Sequence, residues 1–171
     1  MSGPLLVLVG APGAGKSTVG RAVAARLGVA FRDTDDDVER TAGKVIAEVF
    51  IDDGEEHFRA LERAAVALAL TEHDGVLSLG GGAVLASQTR ALLAGHEVVL
   101  LEVGLSAAAE RVGLSRNRPV LALNPRAQLR SLLEARLPLY REVARHVVAT
   151  DGRTREQVVT AVLDLLPAAT R

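Results

Sequence analysis

The 171-residue sequence has no cysteine and no tryptophan, and its only aromatic residues are three phenylalanines and one tyrosine. Without cysteine the chain can form no disulfide, no thiolate nucleophile and no cysteine-ligated zinc site. Few aromatic rings are available to stack on unpaired bases, so we do not expect binding of single-stranded nucleic acid. The core must instead be built from valine, leucine and alanine.

The charges offer no general attraction to polyanions, because the formal net charge is −1. Only two residues, Lys16 and Lys44, are lysines, so local clusters of arginine matter more than the total charge. No apolar run reaches the roughly 18 residues that a membrane span requires, and no basic segment precedes the first apolar run. We expect a cytoplasmic monomer that binds neither nucleic acid nor a membrane.

Short apolar runs alternate with longer segments of helical apolar spacing, which is typical of a parallel sheet covered by helices. The pattern predicts one α/β sandwich domain over residues 1–171. We expect five strands at 5–9, 29–31, 76–79, 98–103 and 146–149. The expected helices cover 16–27, 36–41, 45–50, 55–70, 87–94, 106–112, 125–143 and 155–165.

The segment from Gly10 to Thr18 fits the phosphate-binding pattern G-x-x-x-x-G-K-[ST], directly after the first apolar run. Its glycines let several backbone N–H groups point at one anion, and the helix that follows adds its positive dipole end. Lys16 is expected to reach the β- and γ-phosphates, and Ser17 to ligate Mg²⁺. The sequence therefore predicts a site for ATP and Mg²⁺ with contacts from Gly13, Ala14, Gly15, Lys16, Ser17 and Thr18.

An acidic run follows the second predicted strand, at the edge of the sheet where ligands of open α/β sheets bind. Strand periodicity would aim Asp33 and Asp35 in one direction, while Asp36 and Asp37 would begin a helix. The alternative is a solvated acidic helix start for the whole run. The third strand ends without an acid, so Asp33 is the best candidate for a water-mediated contact to Mg²⁺.

Several later segments are weaker candidates, each with an ordinary structural alternative. Arg59 and Glu62 share a helix face, which is also typical of a surface ion pair. Glycines 80 to 82 indicate close approach of a ligand to the backbone, or else a plain loop. The remaining candidates are arginines: Arg111, Arg116 and Arg118 around a polar loop, and Arg136 in a helix that contains Pro138.

In this order and spacing, the motifs resemble the shikimate kinase family over nearly the whole chain. The motifs that carry the resemblance are the phosphate loop, Asp33-Thr34-Asp35, Gly54-Glu55 with Phe58-Arg59 and Glu62, Gly80-Gly81-Gly82, Arg118-Pro119, and Arg136 through Tyr140. The resemblance implies a three-layer α/β/α P-loop kinase fold with a five-stranded parallel sheet in the order 2-3-1-4-5. It also implies a substrate-binding region near residues 34–62 and a mobile lid near residues 113–124.

The family transfers the γ-phosphate of ATP to the 3-hydroxyl of shikimate, on the route to chorismate and the aromatic amino acids. By matching positions, Asp35 would hold or deprotonate the attacking hydroxyl, and Arg59 and Arg136 would clamp the carboxylate of shikimate. Gly80, Gly81 and Gly82 would lie against the ring. Arg118 would close over the phosphates as a catalytic residue beside Lys16 and Asp35, while Arg111 and Arg153 would lie near the adenine.

Two alternatives to this function follow from the phosphate loop alone. One is another small-molecule P-loop kinase that acts on gluconate or a nucleoside monophosphate. The other is a nucleotide-binding regulatory protein without an acceptor substrate.

Overall fold

The computed structural model describes residues 3–112 and 125–171. Within these residues, strands and helices alternate along the chain as the apolar pattern predicted. The strands are β1 (Leu6–Val9), β2 (Phe31–Asp33), β3 (Val76–Ser78), β4 (Val98–Glu102) and β5 (His146–Ala149). The α-helices are α1 (Lys16–Leu27), α2 (Thr34–Ala42), α3 (Ile46–Asp53), α4 (Glu55–Glu72), α5 (Ser87–Leu93), α6 (Leu105–Val112), α7 (Pro125–Val143) and α8 (Arg155–Leu165).

The five strands form one parallel sheet in the order β2-β3-β1-β4-β5. Strand β1 is central, with Leu8 level with Ser78 of β3 on one side and with Val99 of β4 on the other. All four residues of β1 are buried, as expected for an apolar strand covered on both faces by helices. The expected α/β/α sandwich and its strand order are confirmed.

The junction between β2 and α2 differs from the sequence expectation. Strand β2 ends at Asp33, two residues beyond the predicted strand, and α2 begins at Thr34 instead of residue 36. Asp33 is the N-cap of α2, because its Oδ1 accepts a hydrogen bond from the backbone N–H of Asp35 at 2.9 Å. The prediction that Asp33 and Asp35 project by strand periodicity was wrong, since Asp35 lies in the first turn of a helix.

The acidic run is not a fully solvated helix start, which was the alternative interpretation of its sequence. Asp37 is buried and accepts from the Nε of Arg32 at 2.7 Å and from the Nη1 of Arg40 at 3.1 Å. Arg32 additionally contacts Glu72 at the end of α4. These ion pairs tie α2 to β2 and α4, so part of the run has a structural role.

A second apolar cluster lies apart from the core of the sheet and joins α2, α3 and α4. Its buried members are Val38, Val49 and Phe58, and the ring of Phe50 lies 4.7 Å from that of Phe58 between centroids. This cluster holds together the region 34–62, which the family resemblance assigned to substrate binding. The region therefore has its own small core, separate from that of the sheet.

Among the described helices, none combines the length and the apolar character that crossing a bilayer would require.

Replacing Phe58 by alanine should destabilise the small cluster, because it removes a buried ring and leaves a cavity. We expect the free energy of unfolding to fall by about 3–4 kcal/mol, measured from urea denaturation curves. Ile51→Ala is the matched control, since Ile51 lies on α3 with 75% of its surface exposed, and it should cost less than about 0.5 kcal/mol. Equal losses in the two variants would show that the cluster contributes little to folding.

Candidate active site

The loop between β1 and α1 has the geometry of an anion site. Gly13 and Gly15 adopt φ angles of 81° and 90°, which favour glycine, and α1 begins immediately after Gly15. The first turn of α1 contains no acidic residue to compete for its positive end. Lys16 donates from Nζ to the carbonyls of Gly10 and Ala11 at 2.7 and 3.1 Å. These features suit a polyphosphate.

Ser17, in the first turn of α1, faces the end of β2. Its hydroxyl donates to Oδ2 of Asp33 at 2.7 Å, so a hydroxyl and a carboxylate meet beside the phosphate loop. Ser78 lies next to Asp33 in the β2–β3 register, and among the described residues its buried hydroxyl has no hydrogen-bond partner. The hydroxyls of Ser17 and Ser78 and the carboxylate of Asp33 therefore lie together at this edge of the sheet.

Asp35 and the glycine turn after β3 are in close contact. A Cβ atom at Gly80 would collide with Oδ1 of Asp35 and lie 3.0 Å from Oε2 of Glu62. The backbone N–H of Gly80 also donates to Oγ1 of the buried Thr34 at 3.2 Å. Glycine at this position is therefore required for the two carboxylates to lie against the turn.

The carboxyl group of Asp35 has a pKa well above the ordinary value for aspartate. Burial, together with the charges of Asp33 and Glu62, raises its pKa to about 6, and the nearby Lys16 opposes the shift. A carboxylate with this pKa is mostly ionised at neutral pH and accepts a proton more readily than an ordinary aspartate.

Arg59 is held by the carboxylate of Glu62, for which a surface ion pair was the structural alternative. Its Nη1 donates to Oε1 of Glu62 at 2.8 Å, and only 3% of Glu62 is exposed, so the pair is not a surface ion pair. Burial raises the pKa of Glu62 despite the opposing charges of Arg59 and Arg136. A Cβ at Gly82 would collide with the guanidinium of Arg59, which shows how closely that group packs on the glycine turn.

Arg136 reaches the same cluster from α7. Burial raises the pKa of Glu62 and of Tyr140, one helical turn after Arg136, and Arg136 lies close enough to both for its charge to oppose the two shifts. Tyr140 in turn donates to the carbonyl of Gly81 at 2.5 Å. The structure thus brings Asp35, Arg59 and Arg136 together around the glycine turn.

Several predicted site residues stand apart from this cluster or lie outside the described residues. Arg118 and Arg116 fall within 113–124, outside the described residues, as does the expected lid. Arg111 lies on α6, but the described part of the structure does not include its side chain. Thr18 is exposed on α1, and Arg153 is exposed in the turn between β5 and α8.

The residue-by-residue interpretation missed the part that Thr34, Ser78 and Tyr140 play in the site. Tyr140 had a readable signal, because it lies four positions after Arg136 and so shares its helix face. Thr34 and Ser78 had none, because Thr34 accepts from Gly80 and Ser78 lies level with Asp33, and both pairs join elements distant in the sequence.

A family model described as shikimate kinase matches residues 12–167. The chain belongs to the shikimate kinase family. The shikimate kinase of Salinispora tropica is 62% identical over 165 residues, which are 96% of this chain and 99% of that protein. The shikimate kinase of Streptomyces avermitilis is 60% identical over 166 residues, which are 97% of each chain.

Similarity in structure agrees with similarity in sequence. A solved shikimate kinase from Acinetobacter baumannii, in complex with shikimate, matches this chain with a TM-score of 0.90 at 36% identity. The match covers 96% of this chain and 93% of that one. The resemblance to the shikimate kinase family that the motifs indicated is confirmed.

Replacing Asp35 by asparagine should stabilise the protein at neutral pH. The folded-state pKa is raised from 3.8 to about 6, so the ionised carboxylate opposes folding above that range, and this cost disappears as pH falls below the unfolded value. We expect Tm to rise by roughly 2–4 °C at neutral pH, for about 1 kcal/mol, and the gain to shrink towards pH 4.

The measurement is calorimetric melting of both proteins over this pH range, with Asp36→Asn as the matched control. Asp36 is exposed on the same helix turn, so its variant should show a smaller change. A lower Tm for Asp35→Asn at every pH would contradict the conclusion that the ionised carboxylate of Asp35 opposes folding.

Proposed function

We infer that this chain is a shikimate kinase that transfers the γ-phosphoryl group of ATP to the 3-hydroxyl of shikimate. Relatives that cover nearly the whole chain carry this activity, and the chain holds the required groups in one place. The observation that carries the inference is the meeting of Asp35, Arg59 and Arg136 beside the phosphate loop. We propose that one kinase domain, residues 1–171, contains the whole site.

The donor half of the site would bind the phosphates of ATP through the loop. We propose contacts from the backbone and side chains of Gly13, Ala14, Gly15, Lys16, Ser17 and Thr18. The backbone N–H groups and the positive end of α1 match the charge of the phosphates, and Lys16 would exchange its carbonyl partners for phosphate oxygens.

Magnesium fits the oxygen donors beside the loop. Within the described residues, no three His, Asp or Glu side chains cluster as a self-sufficient metal site. Mg²⁺ needs no such cluster, because it commonly uses one or two protein oxygens, substrate phosphates and waters. We propose that Ser17 is its direct ligand and that Asp33 and Ser78 hold its waters. When bound, the ion would neutralise charge that develops on the transferred group.

The acceptor half would bind the two ends of shikimate with groups of opposite charge, arginines at the carboxylate and an aspartate at the attacking hydroxyl. Arg59 and Arg136 present planar guanidinium groups that suit a carboxylate, and Glu62 orients at least Arg59. Asp35 would accept a hydrogen bond, and then a proton, from the attacking hydroxyl, as its raised pKa allows. Gly80, Gly81 and Gly82 leave room for the ring against the backbone.

Several further assignments stay predictions. Arg118, which the family resemblance places over the phosphates, and the lid at 113–124 lie outside the described residues. Arg111 and Arg153 would approach the adenine. Their contacts, like a monomeric state, await a direct test.

The activity is tested by measuring ADP release from MgATP with purified protein and different acceptors. Shikimate should stimulate release strongly, whereas gluconate and nucleoside monophosphates should leave it near the rate without acceptor. Lys16→Met is the control for contaminating kinases and should abolish the stimulated rate. If only another acceptor stimulates ADP release, that compound is the substrate and shikimate is not. ADP release that no acceptor changes would favour a regulatory nucleotide-binding role.

Gly82→Ala should weaken shikimate binding specifically. The added Cβ would displace the guanidinium of Arg59, which is the end of a flexible side chain, so the fold should survive. We expect the KM for shikimate to rise about tenfold through loss of a charged contact, while the KM for MgATP changes little. Steady-state kinetics with each substrate varied in turn will measure both values.

Ser87→Ala serves as the control, because Ser87 is exposed on α5, five residues further along the chain. It should leave both KM values unchanged. A Gly82→Ala enzyme with normal shikimate kinetics would show that the position of Arg59 is not critical.

A further inference from the structure

Tyr140 is the single tyrosine of the chain, and it lies between the two sides of the acceptor site. Only 2% of its surface is exposed, and it belongs to the apolar core of the sheet. It also lines an open pocket of about 270 Å³ with Leu133 and Leu137. The ring packs among apolar groups, so packing alone does not require a hydroxyl at this position. The hydroxyl must be explained by the polar groups that it contacts.

The hydroxyl has one polar group on each side. It donates to the carbonyl of Gly81 at 2.5 Å. Burial raises the pKa of this phenol, and the guanidinium of Arg136, one helical turn earlier on α7, lies close enough to oppose that shift. A phenolic hydroxyl has one hydrogen to donate and lone pairs to accept, so both contacts can exist together. A hydrogen bond from Arg136 to this oxygen would join the bond to Gly81, and hydrogen bonds linked in this way strengthen each other.

Gly81 is the middle of the turn on which the acceptor groups pack. Gly80 lies against Asp35 and Glu62, and Gly82 lies against Arg59. The backbone of Gly81 also approaches the ring of Pro12 in the phosphate loop, 3.0 Å from where its Cβ would be. A group that fixes the carbonyl of Gly81 therefore fixes the surface between donor and acceptor.

We propose that the hydroxyl of Tyr140, anchored on the carbonyl of Gly81, is a positioning group that aims Arg136 at the carboxylate of the acceptor. The proposal rests on the inferred kinase function. In this role Tyr140 acts through Arg136 and not directly on a substrate, so its effect depends on the presence of that arginine.

The first test is a double-mutant cycle with Tyr140→Phe and Arg136→Ala. Tyr140→Phe keeps the ring and should raise the KM for shikimate about tenfold, with the KM for MgATP changed less than about twofold. In the Arg136→Ala background the same substitution should change the KM for shikimate less than about twofold. Equal effects in both backgrounds, or no effect in either, would overturn the proposal.

The outcome also separates this proposal from the inferred function. If the unchanged protein does not phosphorylate shikimate, the inferred function fails. If it does and Tyr140→Phe behaves like the unchanged protein, only the positioning role fails. Melting curves will exclude a loss of folded protein as the cause of a raised KM.

A second test needs no substitution at Tyr140. Because the chain has no tryptophan and one tyrosine, its tyrosine difference absorbance reports on this residue alone. Adding shikimate should perturb that signal as Arg136 turns to the carboxylate, with a midpoint equal to the Kd from calorimetry. Arg136→Lys should shrink the signal change measured at saturating shikimate. An unchanged tyrosine signal upon saturation of the unchanged protein would overturn the proposal.

Discussion

The carboxylate of Asp33 joins the two halves of the site, and the rest of the arrangement depends on this joint. One oxygen accepts from Ser17 in α1 at 2.7 Å, and the other accepts from the backbone N–H of Asp35 at 2.9 Å. The first bond ties the phosphate loop to the end of β2, and the second starts α2. Parallel strands end at one edge of the sheet, so a single side chain there can contact both the donor and the acceptor halves.

Several charged side chains are buried at this edge of the sheet, where each would be strongly unfavourable without a partner of opposite charge. Asp35 and Glu62 lie beside Gly80, and each has a raised pKa because burial disfavours its ionised form. Arg59 offsets part of that cost by its bond to Glu62. Such a cluster opposes folding but holds its groups in place before a ligand arrives, which reduces the reorganisation that binding and transfer require. The buried sheet can tolerate this cost because its strands provide a continuous apolar core.

Local patterns predicted the parts of this molecule that depend on local chemistry. The phosphate loop, most helix bounds and the apolar strands follow from spacing, and the strand order followed from the resemblance to a family. The direction of Asp35 did not follow, because the cap made by Asp33 starts α2 at Thr34, two residues before the predicted start of that helix. The burial of Glu62 and the hydrogen bond from Tyr140 to Gly81 both depend on residues far apart in the chain. A local sequence pattern therefore could not predict them.

The use of arginine and lysine differs between the two halves for a physical reason. Arg59 is fixed by a buried carboxylate, which suits a rigid, planar group that must meet a carboxylate in one orientation. Lys16 instead contacts two neutral carbonyls, which it can exchange for phosphate oxygens without breaking an ion pair with either of them. In the proposed mechanism, rigidity on the acceptor side would set which hydroxyl faces the nucleotide. Adaptability on the donor side would let one ammonium group follow the phosphates as charge moves during transfer.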